Sequence, residues 1–389
     1  MDNELWIILL PIIFLPVFFA MGWFAARVDM KTVLKQAKSI PSGFYKSLDA
    51  LVDRNSGRAA RELAEVVDGR PQSYDLNLTL GKLYRQRGEN DKAINMHQTL
   101  LDSPDTTGAK RARVLFELAQ NYQSAGLVDR AEQIFLGLQD GKMAREARQH
   151  LLNIYQQDRD WEKAVETARL LSHDDQTYQF EIAQFYCELA QAALFKSNFD
   201  VARFNVGKAL EANKKCTRAN MILGDIEHRQ GNFPAAVEAY AAIEQQNHAY
   251  LSMVGEKLYE AYAAQGKPEE GLNRLTGYMQ TFPELDLINV VYEKSLLLKC
   301  EKEAAQTAVE LVRRKPDLNG VYRLLGLKLS DLDPAWKADA DMMRSVIGRQ
   351  LQRSVMYRCR NCHFKSQVFF WHCPACNKWQ TFTPNKIEV

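Results

Sequence analysis

Little about this 389-residue chain is extreme in bulk. Lys and Arg total 50 against 48 Asp and Glu, a formal net charge of +2, so there is no polycationic surplus to bind nucleic acid by charge alone. Glycine is scarce at 20 residues and proline at 12, which excludes collagen-like and low-complexity chains. Seven cysteines are too few for a disulfide-stapled scaffold of this length. Catalytic signatures are also missing: there is no H-E-x-x-H, no phosphate-loop glycine pattern and no nucleophile elbow, and the acidic residues are spread along helix surfaces. A protein that is not an enzyme is expected. A hydrophobic fraction of 46% excludes disorder, and the length suffices for two or three domains.

From Leu5 to Ala26 the run LWIILLPIIFLPVFFAMGWFAA carries no charge over 22 residues. At 1.5 Å per residue it would span about 33 Å as a helix, enough for a hydrocarbon core. Pro11 and Pro16 are tolerable inside a membrane span. A cleaved signal would need a basic segment before its apolar run; here Asp2 and Glu4 lead, while Arg27, Lys31, Lys35 and Lys38 follow. The expectation is a transmembrane helix over 5–26, with residues 1–4 as a periplasmic tip, 27–41 as a cytoplasmic linker and the bulk of the chain in the cytoplasm. Cysteines there remain reduced.

Residues 42–330 are rich in Ala, Leu, Glu, Gln and Arg, with apolar residues at helical spacing. The segments GENDKA, GLVDRA, RDWEKA, SNFDVA, GNFPAA and GKPEEG align on Ala93, Ala131, Ala164, Ala202, Ala236 and Gly271, and the pattern extends back to Ala60 and forward to Ala305. Successive gaps are 33, 38, 33, 38, 34, 35 and 34 residues, the period of tetratricopeptide (TPR) helix pairs. An all-α TPR superhelix of about eight to nine pairs is predicted, with loops around 106–108 and 172–177 taking up the longer gaps. Such an array presents a concave face to peptide or protein partners. Tyr84, Tyr122, Tyr155, Tyr240, Tyr262 and His97 read as packing residues, and Cys187, Cys216 and Cys300 as small buried ones.

A weaker helical stretch, 331–352, leads to a different composition over 353–389. Cys359 and Cys362 form one C-x-x-C, Cys373 and Cys376 another, ten residues apart. Two knuckles of this spacing bring four thiolates around one ion. Tetrahedral sulfur coordination suits iron or zinc alike. His363 and His372 adjoin the ligands, but four cysteines already complete a shell. Val368, Phe369, Phe370 and Trp371 suggest short strands, with Trp379 and Phe382 to cover the cluster and the aromatics docking the ribbon on the last helices. So small a domain depends on its metal for folding. Its basic residues among aromatics would also suit a nucleic-acid-binding zinc ribbon, and iron at four cysteines would suit rubredoxin-type electron transfer. The membrane anchor and the near-neutral array argue against nucleic acid.

The order of one amino-terminal span, a TPR array and a terminal C-x-x-C…W-x-C-P-x-C-x-x-W segment resembles the lipopolysaccharide assembly protein B family of Gram-negative bacteria. TLGKLYRQRG with AINMHQTL, FYCELA and 357–381 carry the likeness. It implies an inner-membrane, cytoplasm-facing adaptor with a rubredoxin-like metal domain that regulates lipopolysaccharide synthesis. Its implied partners are an FtsH-like membrane AAA+ protease, the deacetylase that commits precursor to lipid A as proteolytic substrate, and a lipopolysaccharide-sensing inner-membrane protein. One departure is His363, which stands where such knuckles commonly carry glycine; a more strained or differently hydrogen-bonded first knuckle is expected.

Overall fold

The computed structural model describes residues 19–23, 42–69, 73–172, 176–299, 301–314, 316, 318–328, 333–384 and 387–388. Of the apolar run, only 19–23 fall among them, helical and exposed; the rest of the expected span, the 27–41 linker and Cys300 lie outside the described residues. Among the described residues, no helix is long and apolar enough to cross a membrane. The chain divides into two compact units, 1–151 and 152–389.

The first unit stacks Ser42–Val52 with Ser56–Asp68, Tyr74–Gln86 with Asn90–Asp102, and Gly108–Ser124 with Val128–Leu136. The unit boundary falls inside Ala144–Asp158. In the second unit, after Trp161–Ser172, the pairs are Gln179–Phe195 with Phe199–Ala212, Thr217–Arg229 with Phe233–Ala241, Leu251–Ala264 with Pro268–Thr281, Ile288–Leu298 with Glu301–Arg314, and Leu318–Lys328 with Pro334–Ser354. That last helix absorbs the expected terminal linker.

One turn recurs within these pairs. A left-handed residue, Gly88, Gly126, Gly231 or Gly266, is followed by an N–H that reaches back five residues, as from Glu89 to the Tyr84 carbonyl at 2.9 Å. Arg54, Arg159 and Ser197 make the same turn without glycine. The aligned small residue lies five positions after each left-handed residue, and its N–H opens the second helix. That register corrects the upstream end of the sequence alignment, and burial corrects the downstream one. Ala59, bonded to the Asn55 carbonyl at 3.0 Å, is the true equivalent rather than Ala60. Downstream, Ala304 is fully buried while Ala305 is only half-buried. Ala-Ala pairs at 59–60 and 304–305 hide such a slip, because either residue satisfies the pattern.

Small residues exist where a partner side chain needs the room. A Cβ on Gly81 would collide with the His97 ring, and one on Gly224 with Tyr240. His97 is fully buried yet polar-paired: Nδ1 faces Asn121 Nδ2 at 2.8 Å and Nε2 faces the Leu78 carbonyl at 3.3 Å. Asn121 also accepts from Arg85 at 2.8 Å, and Arg85 pairs with the buried Glu117 at 2.9 Å, which Lys82 contacts too. Burial opposes ionisation of Glu117, but the two cations hold its carboxyl below the usual range. The first unit thus has a charged network inside its core.

Candidate metal centre and its seat on the repeats

The ribbon begins where Pro334–Ser354 runs into a strand, Val355–Arg358. This strand pairs antiparallel with Lys365–Ser366 on one side and Ile387–Glu388 on the other. The aromatic run 368–371 is not a strand as expected; it is coil, because its side chains are drawn to different surfaces instead of alternating across a sheet.

All four cysteine sulfurs lie within 4.8 Å of one another. Cys359 Sγ is 3.8 Å from Cys376 Sγ, and Cys362 Sγ is 3.7 Å from Cys373 Sγ. A disulfide would require about 2.05 Å. A tetrahedron of sulfurs about 2.3 Å from a central ion has edges of about 3.8 Å, so the spacing fits one metal ion held by Cys359, Cys362, Cys373 and Cys376. Zinc and iron both suit this donor set.

The two knuckles are built alike. His363 N–H donates to the Cys359 carbonyl at 3.1 Å, and Asn377 N–H to the Cys373 carbonyl at 2.9 Å; Cys359 N–H donates to Phe364 O and Cys373 N–H to Lys378 O, both at 2.9 Å. His363 (φ 61°) and Asn377 (φ 53°) are both left-handed. The expectation of a differently bonded first knuckle is therefore corrected: His363 carries the left-handed cost, but its bonding matches its counterpart. Around Cys359, burial raises the thiol, while the Thr381 hydroxyl at 3.2 Å and the N–H groups of Cys362 and Asn361 outweigh it and bring it to about 6. Burial pushes Cys373 up to about 12. A bound cation would deprotonate every coordinating thiol.

Phe382 is buried against Cys359 and Cys373 and covers the cluster from within. Trp379 does not. It turns outward, its ring stacked on His372 at 4.4 Å and edge-on to Trp161 and Phe185 at 5.8 Å each, while its Nε1–H donates to Gln156 Oε1 at 3.0 Å. Burial draws His372 below the ordinary histidine value, so it sits neutral on the indole. Nearby, Trp371 stacks on Tyr250 at 5.2 Å, and Arg218, paired with Glu188 at 2.9 Å, lies 5.3 Å above the Trp371 ring. The ribbon is thus seated on the first half of the second unit, from Gln156 to Tyr250, and not on the last helices as expected.

Sequence reasoning found the four cysteines and missed the seat. Gln156, Trp161, Phe185, Arg218 and Tyr250 have no common spacing; the one local oddity is Arg218, a cation buried to 5% exposure. It also treated Cys187 and Cys216 as unrelated, whereas their sulfurs lie 3.7 Å apart on successive repeats.

A family model described as a rubredoxin metal binding domain matches residues 357–384, and tetratricopeptide repeat models match 78–110 and 187–250. Lipopolysaccharide assembly protein B of Escherichia coli (strain K12) is 29% identical over 379 residues, spanning 95% of this chain and 96% of that one. The protein of the same name from Haemophilus influenzae is 27% identical over 390 residues, with the same coverage. Among solved structures, the C-terminal part of a TPR repeat-containing protein from Cytophaga hutchinsonii covers 68% of this chain and 98% of its own at 14% identity, with a TM-score of 0.38. The repeat scaffold and the relatives mark an adaptor-type protein that is not an enzyme.

Proposed function

Because the chain is a homologue of lipopolysaccharide assembly protein B along 95% of its length, we propose that it serves lipopolysaccharide assembly as an inner-membrane adaptor facing the cytoplasm. In this reading an FtsH-like membrane AAA+ protease is brought together with the deacetylase that commits precursor to lipid A, so that the deacetylase is degraded. A lipopolysaccharide-sensing inner-membrane protein sets the rate. The anchor, expected over 5–26, confines adaptor, protease and substrate to one surface, which raises their effective concentration without a tight pairwise contact.

The observation that carries the adaptor reading is the ribbon seated on the repeats. Trp371 and Trp379 seat the ribbon on the array, and in this reading a partner meets ribbon and repeats as one body. Replacing Cys359 and Cys362 by serine removes half of the thiolate set. The expected result is loss of the metal, unfolding of 357–384 and a longer half-life of the deacetylase; an unchanged half-life would remove the ribbon from adaptor work. Deleting residues 1–26 tests the anchor: the array should stay folded and no longer support turnover, and full activity of that form would overturn the co-localisation argument.

A further inference from the structure

The first described helix of the array, Ser42–Val52, is apolar on its outside. Tyr45 is 56% exposed, Leu48 44%, Leu51 40% and Val52 82%. At 100° per residue these four fall within an arc of about 120°. The packed side adjoins this arc and meets it at the Leu51 edge: Phe44, partly buried, lies against the cluster of Ala60, Leu63, Val67, Leu80 and Leu83, and Ser47 and Ala50 are buried. Terminal repeats of a solenoid ordinarily turn a polar face outward, so this arc needs a cover.

We propose that Ser42–Val52 lies along the membrane surface, with Tyr45, Leu48, Leu51 and Val52 entering the boundary between headgroups and acyl chains. The inference rests on the anchor reading above. If the span ends at Ala26, only 15 residues separate it from Ser42. Fully extended they reach about 50 Å, so the helix cannot leave the neighbourhood of the bilayer. Those residues include Arg27, Lys31, Lys35 and Lys38 against Asp29, a net charge of +3 that draws this end of the array to anionic headgroups. Ser42–Val52 itself has one cation and one anion, Lys46 and Asp49, both exposed, and so relies on the linker for attraction and on its apolar arc for insertion. Asp49 and Asp53 lie beside the arc, at its Tyr45 edge, and fix the roll of the helix, since both must face water. A tyrosine at the rim matches the amphipathic side chains that settle at such boundaries.

A photoreactive benzophenone amino acid at Tyr45 or Val52 tests this, in the full chain reconstituted into vesicles of phosphatidylethanolamine and phosphatidylglycerol. Phospholipid adducts are expected at both sites, falling about tenfold when Leu48→Glu is added, a charge that the apolar boundary rejects. Adducts only with a second copy or with residues 27–41, or no adducts, would overturn the proposal. Alkaline extraction of the same vesicles separates the two readings. A chain that is retained but gives no lipid adduct sinks the surface helix alone; a chain that is washed off sinks the anchor.

Discussion

Replacing Trp379 by alanine removes one of the two tryptophans that hold the ribbon to the repeats while leaving all four cysteines in place. The indole is 7% exposed, donates to Gln156 and meets Trp161 and Phe185 edge-on. Truncating a buried tryptophan costs about 3–5 kcal/mol. Of this, the hydrogen bond contributes about 1 kcal/mol and each aromatic pair about 0.5–1.5 kcal/mol. Since most of these contacts join ribbon to array, the loss falls on docking, and the ratio of seated to unseated ribbon should drop by roughly two to three orders of magnitude. Hydrogen exchange of 357–384 in the metal-loaded protein reads that ratio, and release of metal to a chromogenic chelator reads its consequence. Trp379→Phe keeps the ring and loses the donor, so roughly a tenfold change is expected; Gln156→Ala should match it, and the double variant should add little to either. Protection and metal release within threefold of the parent in Trp379→Ala would refute the reasoning, because Trp371 on Tyr250 would then suffice to seat the ribbon.

Glu117→Gln leaves Lys82 and Arg85 facing a neutral group in the core of the first unit and should cost about 3 kcal/mol, measured as lost exchange protection in Gly108–Ser124. His97 and His150 are both held below the ordinary histidine value, first by burial, so the unfolded chain binds protons that the folded one refuses. Stability of this unit should therefore fall as pH drops below about 6.5, by up to about 1.4 kcal/mol per pH unit for each histidine, as read by exchange rates corrected for pH; a flat profile from 7.5 to 5.5 would contradict the buried neutral state. Glu117 acts with the same sign at lower pH: its stabilisation is complete above about 4.5 and lost as acid protonates it below that. His363→Gly removes a side chain from a left-handed position whose hydrogen bonds involve only backbone, and should stabilise the metal-loaded ribbon by about 1 kcal/mol in thermal unfolding.

The repeats were legible because each one solves the same local problem. A tight turn, a small residue five positions on and a bulky partner recur with the period of the helix pair, and the sequence alignment slipped only where two alanines stand together. The metal cysteines were legible for a similar reason, since a knuckle is a local object. What stayed hidden was made by distance along the chain. No pattern near Trp379 announces Gln156, and no spacing links Cys187 to Cys216. The strands expected at 368–371 failed on physical grounds as well: Phe369 and Phe370 pack against Phe382, while Trp371 is taken by Tyr250, so tertiary contacts override a local β preference.

The contact between Trp379 and Gln156 spans 223 residues. At a synthesis rate of about 5–20 residues per second, Gln156 leaves the ribosome roughly 10–45 s before its partner exists. Throughout that interval Trp161, Phe185 and later Tyr250 form an uncovered aromatic surface on repeats that can otherwise fold as they emerge. The surface closes only when the tail has been made and its cysteines have found an ion. A chain whose ribbon has not folded around its ion therefore leaves Trp161, Phe185 and Tyr250 without their cover. Covering that aromatic surface is therefore a late event in the life of the chain, one that waits on residues made more than 200 positions downstream of Gln156.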